Sequence, residues 1–401
     1  MRGRLSILIA LVVVAAPAPA AAVEVAPGVQ WTTVVKSPGP TRINVLEIDP
    51  ARVRGVLSNE TIARRERVSA MGRRVGAVAG VNGGYFATSG DPVGVLALNG
   101  QLLSEPVDGR SALIVDSGGA SIAPVRFRGR IALNGRSRGI DGVDRTRGLI
   151  PACGGRGGDV PTSRPNSALT CTDASELVLL SPRYGARPPA EGGVEALLRG
   201  GTVADVRPPG SGRVPLDGLL LTGSGDGARF LRDAALPRSR ATLAFRLTAA
   251  GRSLPLVPGT APPTGGVPGP LAAGPELVVG GGPLLVRAGR VAVTAAAEGF
   301  APPQAPAFFR AFVAGRQPRT LGGVRADGTL LLVTVDGRRP GWSVGMTLAE
   351  AARYMRSLGA RDALNLDGGG STTMTVRGEL VNRPSDPTGE RPVSDGIFAL
   401  P

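Results

Sequence analysis

The run Asn365-Leu-Asp-Gly-Gly-Gly-Ser-Thr-Thr373 sets a carboxylate beside three glycines and three hydroxyl side chains. Glycines at 368, 369 and 370 let the backbone take positive φ and approach a ligand closely. Successive N–H groups in such a loop can form an anion-binding nest, with the Ser371 and Thr372 hydroxyls as further donors. An acid next to a phosphate or sugar cradle is a working arrangement, whereas the same loop without a ligand reads as a turn with an Asx motif. A second pattern is Ala79-Gly-Val-Asn82-Gly83-Gly-Tyr85-Phe86, an apolar strand that ends in Asn-Gly-Gly and two aromatics. Asn82 can hydrogen-bond a sugar hydroxyl or orient a carboxylate, and Tyr85 can stack on a sugar ring; the alternative is an Asn-Gly turn with core aromatics. Gln317-Pro-Arg319-Thr320 and Val335-Asp336-Gly337-Arg338 complete the set, and each read alone is structural.

Composition narrows the chemistry. The chain has no histidine, which removes Ser-His-Asp and Cys-His nucleophile sites, histidine-ligated zinc and imidazole acid–base catalysis. Lys36 is the lone lysine, so Schiff-base and P-loop chemistry are also disfavoured. Catalysis must rest on carboxylates, arginine, tyrosine, hydroxyls and backbone, and no cofactor is called for. The formal charge of +15 comes from scattered arginines with few aromatics to stack on bases. That points to an anionic glycan rather than to nucleic acid. Part of the excess also reflects a general Ala/Gly/Arg/Pro bias.

The N-terminus carries Arg2 and Arg4, then an apolar run from Leu5 to Val14 and small residues up to Ala22. The run is too short to span a bilayer, so residues 1–22 read as a signal peptide for a secreted or wall-associated protein without stable membrane insertion. In an exported chain Cys153 and Cys171 are expected to pair, closing a loop worth roughly 3 kcal/mol in the chain-entropy view.

The elements that would position these residues are mostly hairpins: short apolar runs joined by tight turns with glycine. Clear turns fall at Asn99-Gly100, Ala288-Gly289, Asp327-Gly328 and Arg377-Gly378. Other strands are expected over 43–48, 112–115, 176–180, 219–222 and 241–247. Helices are expected near 68–74, 228–235 and, most clearly, 348–358, where Thr347-Leu-Ala-Glu350 forms a capping box and Gly359 a stop. The strand after that helix, 362–366, delivers Asp367 to its carboxyl end. The fold class is α+β, a mixed, hairpin-rich β-sheet core with a few packed helices. Residues 23–67 read as a lead-in with the first strands, loosely structured to about residue 40, and 68–401 as the main domain. Within it, 148–175 reads as a cysteine-stapled insertion and 254–275 as a Pro/Gly-rich loop.

Taken together and in order, the motifs resemble the phosphodiester glycosidase family. The resemblance rests on Val81-Asn-Gly-Gly-Tyr-Phe86, Pro318-Arg-Thr320, Val335-Asp-Gly-Arg338, Ser343-Val-Gly-Met-Thr347 and Leu366-Asp-Gly-Gly-Gly-Ser-Thr372. Val381-Asn-Arg-Pro384, Glu390-Arg-Pro-Val-Ser394 and Gly142-Val-Asp-Arg-Thr-Arg147 extend it. It implies hydrolysis of a sugar-1-phosphodiester, with Asp367 at the anomeric centre and Arg319 clamping phosphate. The amides of Gly368, Gly369 and Gly370 with Ser371 and Thr372 would assist, and Asn82, Gly83 and Tyr85 would hold the sugar. Asp336 is the expected second carboxylate, with Glu105 behind it, and Arg383 and Gln317 are further substrate contacts. The family commonly has histidine where this chain has Gln317; glutamine keeps hydrogen bonding but not proton transfer. A phosphoglycan-binding protein without turnover would share the same cradle and charge.

Overall fold

The computed structural model describes residues 21–401, apart from 38, 154–157, 163–169, 261–273 and 302–305. The expected signal peptide therefore lies almost wholly outside the described residues. Hairpins dominate because their turns are locally encoded. Asn99 and Gly100 have φ of 49° and 74° and join the strands Leu96–Leu98 and Gln101–Ser104. Ala288-Gly289 and Arg377-Gly378 repeat the left-handed pair, as a two-residue hairpin turn requires. Arg319–Arg325 and Leu330–Val335 pair antiparallel around Asp327-Gly328.

Two sheets matter for the site. One has eight strands, with Arg319–Arg325 between Leu330–Val335 and Ala360–Asn365 at its centre. Its outer strands, Val23–Ala26 and Val29–Lys36, occupy the stretch expected to be loose. Val29–Lys36 is ordered by antiparallel pairing with Thr41–Ile48, Val29 against Ile48, and Val23–Ala26 in turn pairs with Val29–Lys36. The other sheet has five strands and places Ala79–Asn82 between Met374–Val376 and Asp395–Ala399. A core of Leu46, Val81, Leu332, Leu364, Leu366, Met374 and Ile397 fills the space shared by these strands. Buried apolar area of this kind contributes about 25 cal/mol per Å².

The expected capped helix runs Leu348–Ser357. The Thr347 hydroxyl accepts from the Glu350 amide while the Glu350 carboxylate accepts from the Thr347 amide. Its stripe of Leu348, Ala351 and Met355 packs on the eight-stranded sheet. The helices Val68–Arg74 and Gly225–Ala234 also form. Two features were not expected from the sequence: a fifteen-residue strand, Gly119–Leu133, and a short helical turn, Pro306–Phe309, that continues as a π-turn over Arg310–Ala314.

The insertion holds a small three-stranded sheet, and Cys153 and Cys171 are bonded. Val257–Pro258 pairs parallel with Gln101–Leu102 inside the stretch expected to be a loop. The Asp144-Arg145-Thr-Arg147 element is a brace. Arg145 pairs with Glu105 and Glu176, and Asp144 accepts from the Ser181 amide and hydroxyl. Among the described residues no helix is long and apolar enough to cross a membrane. The fold is thus strand-dominated and mixed, within α+β.

Candidate active site

The loop after Ala360–Asn365 sits where the two sheets meet, tied to both by main-chain bonds. The Leu366 amide donates to Thr320 O (2.8 Å), the Asp367 amide to Gly83 O (3.2 Å) and the Gly83 amide to Asp395 O (3.0 Å). Asn82 locks the junction through its side chain. Its Nδ2 donates to Asp367 O at 2.7 Å, while its Oδ1 accepts from the Thr320 hydroxyl (2.7 Å) and the Thr373 amide (3.1 Å). With all three bonds made inside the protein, Asn82 positions the loop.

Asp367 is half-buried. Loss of water pushes its carboxyl up to about 6, the nearby Asp395 charge adding to this and Ser371, Arg391 and the Gly368 amide opposing it. Desolvation disfavours the charged form, and a like charge reinforces the effect. Asp395 is fully enclosed, with its own pKa raised by burial. Its Oδ1 accepts from the Gly84 amide at 3.0 Å, and a Cβ on Gly83 would lie 1.8 Å from that oxygen. Glycine at 83 is therefore demanded by the second carboxylate. Sequence reasoning missed Asp395; the signal available was the pattern Ser394-Asp395-Gly396 at a strand start, which parallels Leu366-Asp367-Gly368.

Tyr85 lies against the same loop. Its hydroxyl donates to Gly282 O (2.7 Å) and accepts from Asn365 Nδ2 (2.7 Å). Burial and the Asp367 charge raise its pKa, so it stays a neutral phenol. Its ring meets Phe300 at 5.6 Å and Phe312 at 6.4 Å between centroids. Two enclosed arginines flank these rings: Arg110 over Phe300 at 4.3 Å and Arg319 over Phe312 at 5.4 Å.

Arg319 is 1% exposed. Its Nε donates to Met346 O (2.9 Å) and its Nη2 to Phe312 O (2.6 Å) and Gly315 O (3.1 Å). It therefore ties the aromatic turn to the sheet. Burial depresses its pKa to about 10, with the Arg338 charge acting in the same direction. Gln317 lies beside it, its Oε1 accepting from Arg338 Nε at 2.8 Å and its Nε2 donating to Ala311 O at 3.3 Å.

The glycine loop spends much of its donor capacity internally. The Gly368 amide binds the Asp367 carboxylate, Gly369 binds Pro318 O, and Ser371 and Thr372 bind Gly368 O and Gly369 O. Gly370 packs where a Cβ would fall 2.0 Å from Asp386 Oδ1 and 2.2 Å from Arg391 Nη2. Those two residues form a forked ion pair, Nε to Oδ2 at 2.7 Å and Nη2 to Oδ1 at 2.9 Å.

Three sequence candidates lie apart from this group. Asp336 accepts from Trp342 Nε1, Asn382 Nδ2 and the Arg383 amide, and burial raises its pKa. Its link to the loop is indirect, through Asn382 Nδ2 on Thr372 O at 3.0 Å. Arg383 sits with it, over the Trp342 ring. Glu105 belongs to the Arg145 brace, where it also accepts from the Val143 amide. Asp367, Asn82, Gly83, Tyr85, Arg319 and Gln317 with the glycine loop are thus one cluster, and Asp395 is the acid paired with it.

A profile of the phosphodiester glycosidase family matches residues 192–400. Over 82 residues the chain is 42% identical to a prophage-derived uncharacterised protein of Bacillus subtilis strain 168, covering 20% of this chain and 12% of that one. Over 78 residues it is 38% identical to mouse N-acetylglucosamine-1-phosphodiester alpha-N-acetylglucosaminidase, covering 20% of this chain and 15% of the relative. The chain thus spans only a small part of these relatives. A crystal structure from Burkholderia pseudomallei K96243, of a protein named as exported, superposes with a TM-score of 0.77 at 32% identity, covering 90% of this chain and 74% of that one.

Proposed function

The chain belongs to the phosphodiester glycosidase family, and from that premise we propose that it is an exported hydrolase that cleaves the sugar-1-phosphodiester bond of a phosphate-containing glycan or wall polymer. The observation that carries this reading is Asp367. It is a half-buried carboxylate with a pKa near 6, held between two sheets beside Tyr85 and a set of arginines. Above pH 6 it is ionised yet poorly solvated, and so a strong partner for the positive charge that develops at an anomeric carbon.

In this reading the sugar lies across Tyr85, with C1 facing Asp367. The C1–O bond breaks, and its electron pair leaves on the phosphate oxygen. Phosphate is a good leaving group, so a site without histidine suffices. Water adds to C1 and its proton passes to Asp367. Asp395 is a positioning residue: from behind Gly83 it holds the Gly84 amide and raises the Asp367 pKa. Arg319 contributes charge while bracing the aromatic turn.

The test is hydrolysis of a panel of sugar-1-phosphodiesters by the mature protein, beside Asp367→Asn. Turnover in the wild type, reduced at least a hundredfold in the variant, is expected from removal of a charge aimed at the reacting centre. Turnover that survives Asp367→Asn would sink the assignment. Saturable binding without turnover in the wild type would leave a phosphoglycan-binding protein.

A further inference from the structure

We propose that Arg338, held in place by Gln317, is the residue that recognises the phosphate of the substrate; this rests on the phosphodiester reading above and gives its anion a location. Several cations surround the Asp367 loop, and the structure separates them. Arg391 is neutralised by Asp386 in a forked pair. Arg319 gives Nε and Nη2 to three main-chain carbonyls and is 1% exposed. Arg110 is enclosed under Phe300, its Nε on Glu298 O. Arg338 alone of these is exposed, and among the described residues no carboxylate forms a salt bridge with it.

Its placement is specific. Gly337 packs so close to Pro318 that a Cβ would lie 2.7 Å from the proline nitrogen. That approach lays the Arg338 backbone beside Gln317. Arg338 itself adopts φ of 59°, a left-handed conformation that costs a non-glycine residue free energy and recurs at ligand-binding positions. The strain directs the side chain back over the catalytic loop. Gln317 Oε1 accepts from Nε at 2.8 Å, and the amide is oriented by its own donation to Ala311 O. With Nε tied, the outer edge of the guanidinium remains to face an oxyanion with two parallel N–H donors. The face of the guanidinium lies against Gly369, where a Cβ would fall 3.1 Å from Nη2 and 3.5 Å from both Cζ and Nη1. Gly369 has φ of +60°, so its lack of a side chain serves both the turn and the arginine.

The charges around it make the same point. Arg338 acts on Arg319 in the repulsive direction, and among the described residues neither arginine forms a salt bridge with a carboxylate. Two arginines without a carboxylate partner are stabilised when an anion arrives. The Asp367 carboxylate, carrying one charge and protonating near pH 6, is needed at C1. A phosphate diester held by the free edge of Arg338 would lie beside the loop that carries Asp367.

The experiment compares the wild type with Arg338→Ala, Arg338→Lys, Gln317→Leu and Gln317→Glu. The readout is the ratio of kcat/KM for a sugar-1-phosphodiester to that for an uncharged nitrophenyl glycoside of the same sugar, with thermal melting to check folding. Arg338→Ala should lower the ratio about tenfold or more, as loss of a charge-assisted fork implies. Arg338→Lys should fall between the two, since lysine keeps the charge and loses the fork. Gln317→Leu should lower the ratio a few-fold, and Gln317→Glu further, because its carboxylate would neutralise Arg338. Competitive inhibition by inorganic phosphate should weaken in the same order. An unchanged ratio and unchanged phosphate inhibition in Arg338→Ala would overturn the proposal while leaving the hydrolase reading standing. If the wild type cleaves neither substrate, calorimetry with inorganic phosphate decides: binding lost in Arg338→Ala supports the anion site, and equal or absent binding in both proteins refutes it.

Discussion

Asp367 illustrates how a residue is tuned by what surrounds it. Its pKa rises from 3.8 to about 6, mainly because water is removed. If the ionised form is the working one, activity should fall as pH drops through about 6, and a pH–rate profile would show this limb. Asp395→Asn keeps a carbonyl for the Gly84 amide and removes a like charge, so the limb should move to lower pH. A limb that stays at about 6 would mean that the Asp395 charge is not felt. The stability consequence has the opposite sense from that of a paired carboxylate. Below pH 3.8 both folded and unfolded forms are protonated, and no cost arises. Between 3.8 and about 6 the unfolded chain ionises first, so the cost grows, and above 6 it is constant. Asp367→Asn should therefore stabilise the fold at pH 7 by on the order of 1–2 kcal/mol, the figure discounted for partial exposure, and not at pH 3.5. Denaturant melts at the two pH values would check both statements.

At the level of elements, the site depends on tight packing between loops that are far apart in sequence. Gly370→Ala would drive a methyl group into the Arg391–Asp386 pair. Displacing that pair should cost about 1–3 kcal/mol of stability and should lower kcat by disturbing the Ser371 neighbourhood of Asp367. An unchanged melting temperature would refute the packing argument. The capping box of Leu348–Ser357 has a longer reach than its helix, because Met346 O just before the cap accepts from Arg319 Nε and from the Gln317 amide. Thr347→Ala should cost about 1 kcal/mol, measurable by chemical denaturation. The elements with the clearest sequence signals, the glycine-turn hairpins and this helix, were legible because their instructions are local. The strand Gly119–Leu133 was not. Its alternation of Arg126, Arg128 and Arg130 with buried Phe127 and Ile131 was present in the sequence, but charge on the exposed face masked it. The π-turn over Arg310–Ala314 has no local code of its own; Arg319 and Gln317 hold its carbonyls from outside.

For the whole molecule, the proposed centre lies where an eight-stranded and a five-stranded sheet meet, whereas the Cys153–Cys171 segment forms its own small sheet. Replacing both cysteines by serine should lower stability by up to about 3 kcal/mol while leaving phosphodiester hydrolysis near the wild-type rate, which melting and turnover would report together. The amino-acid sequence by itself determined the family, the hairpins, the capped helix and the glycine loop that carries Asp367. Each of these is written in a few adjacent residues whose backbone preferences and side-chain chemistry act locally. Only the tertiary structure decided which residues share the site. It enclosed Arg319 among main-chain carbonyls, moved Glu105 and Asp336 into separate networks, brought Asp395 behind Gly83 and left Arg338 facing the loop. Those outcomes depend on desolvation and on contacts between residues up to hundreds of positions apart, quantities that exist only once the sheets have packed.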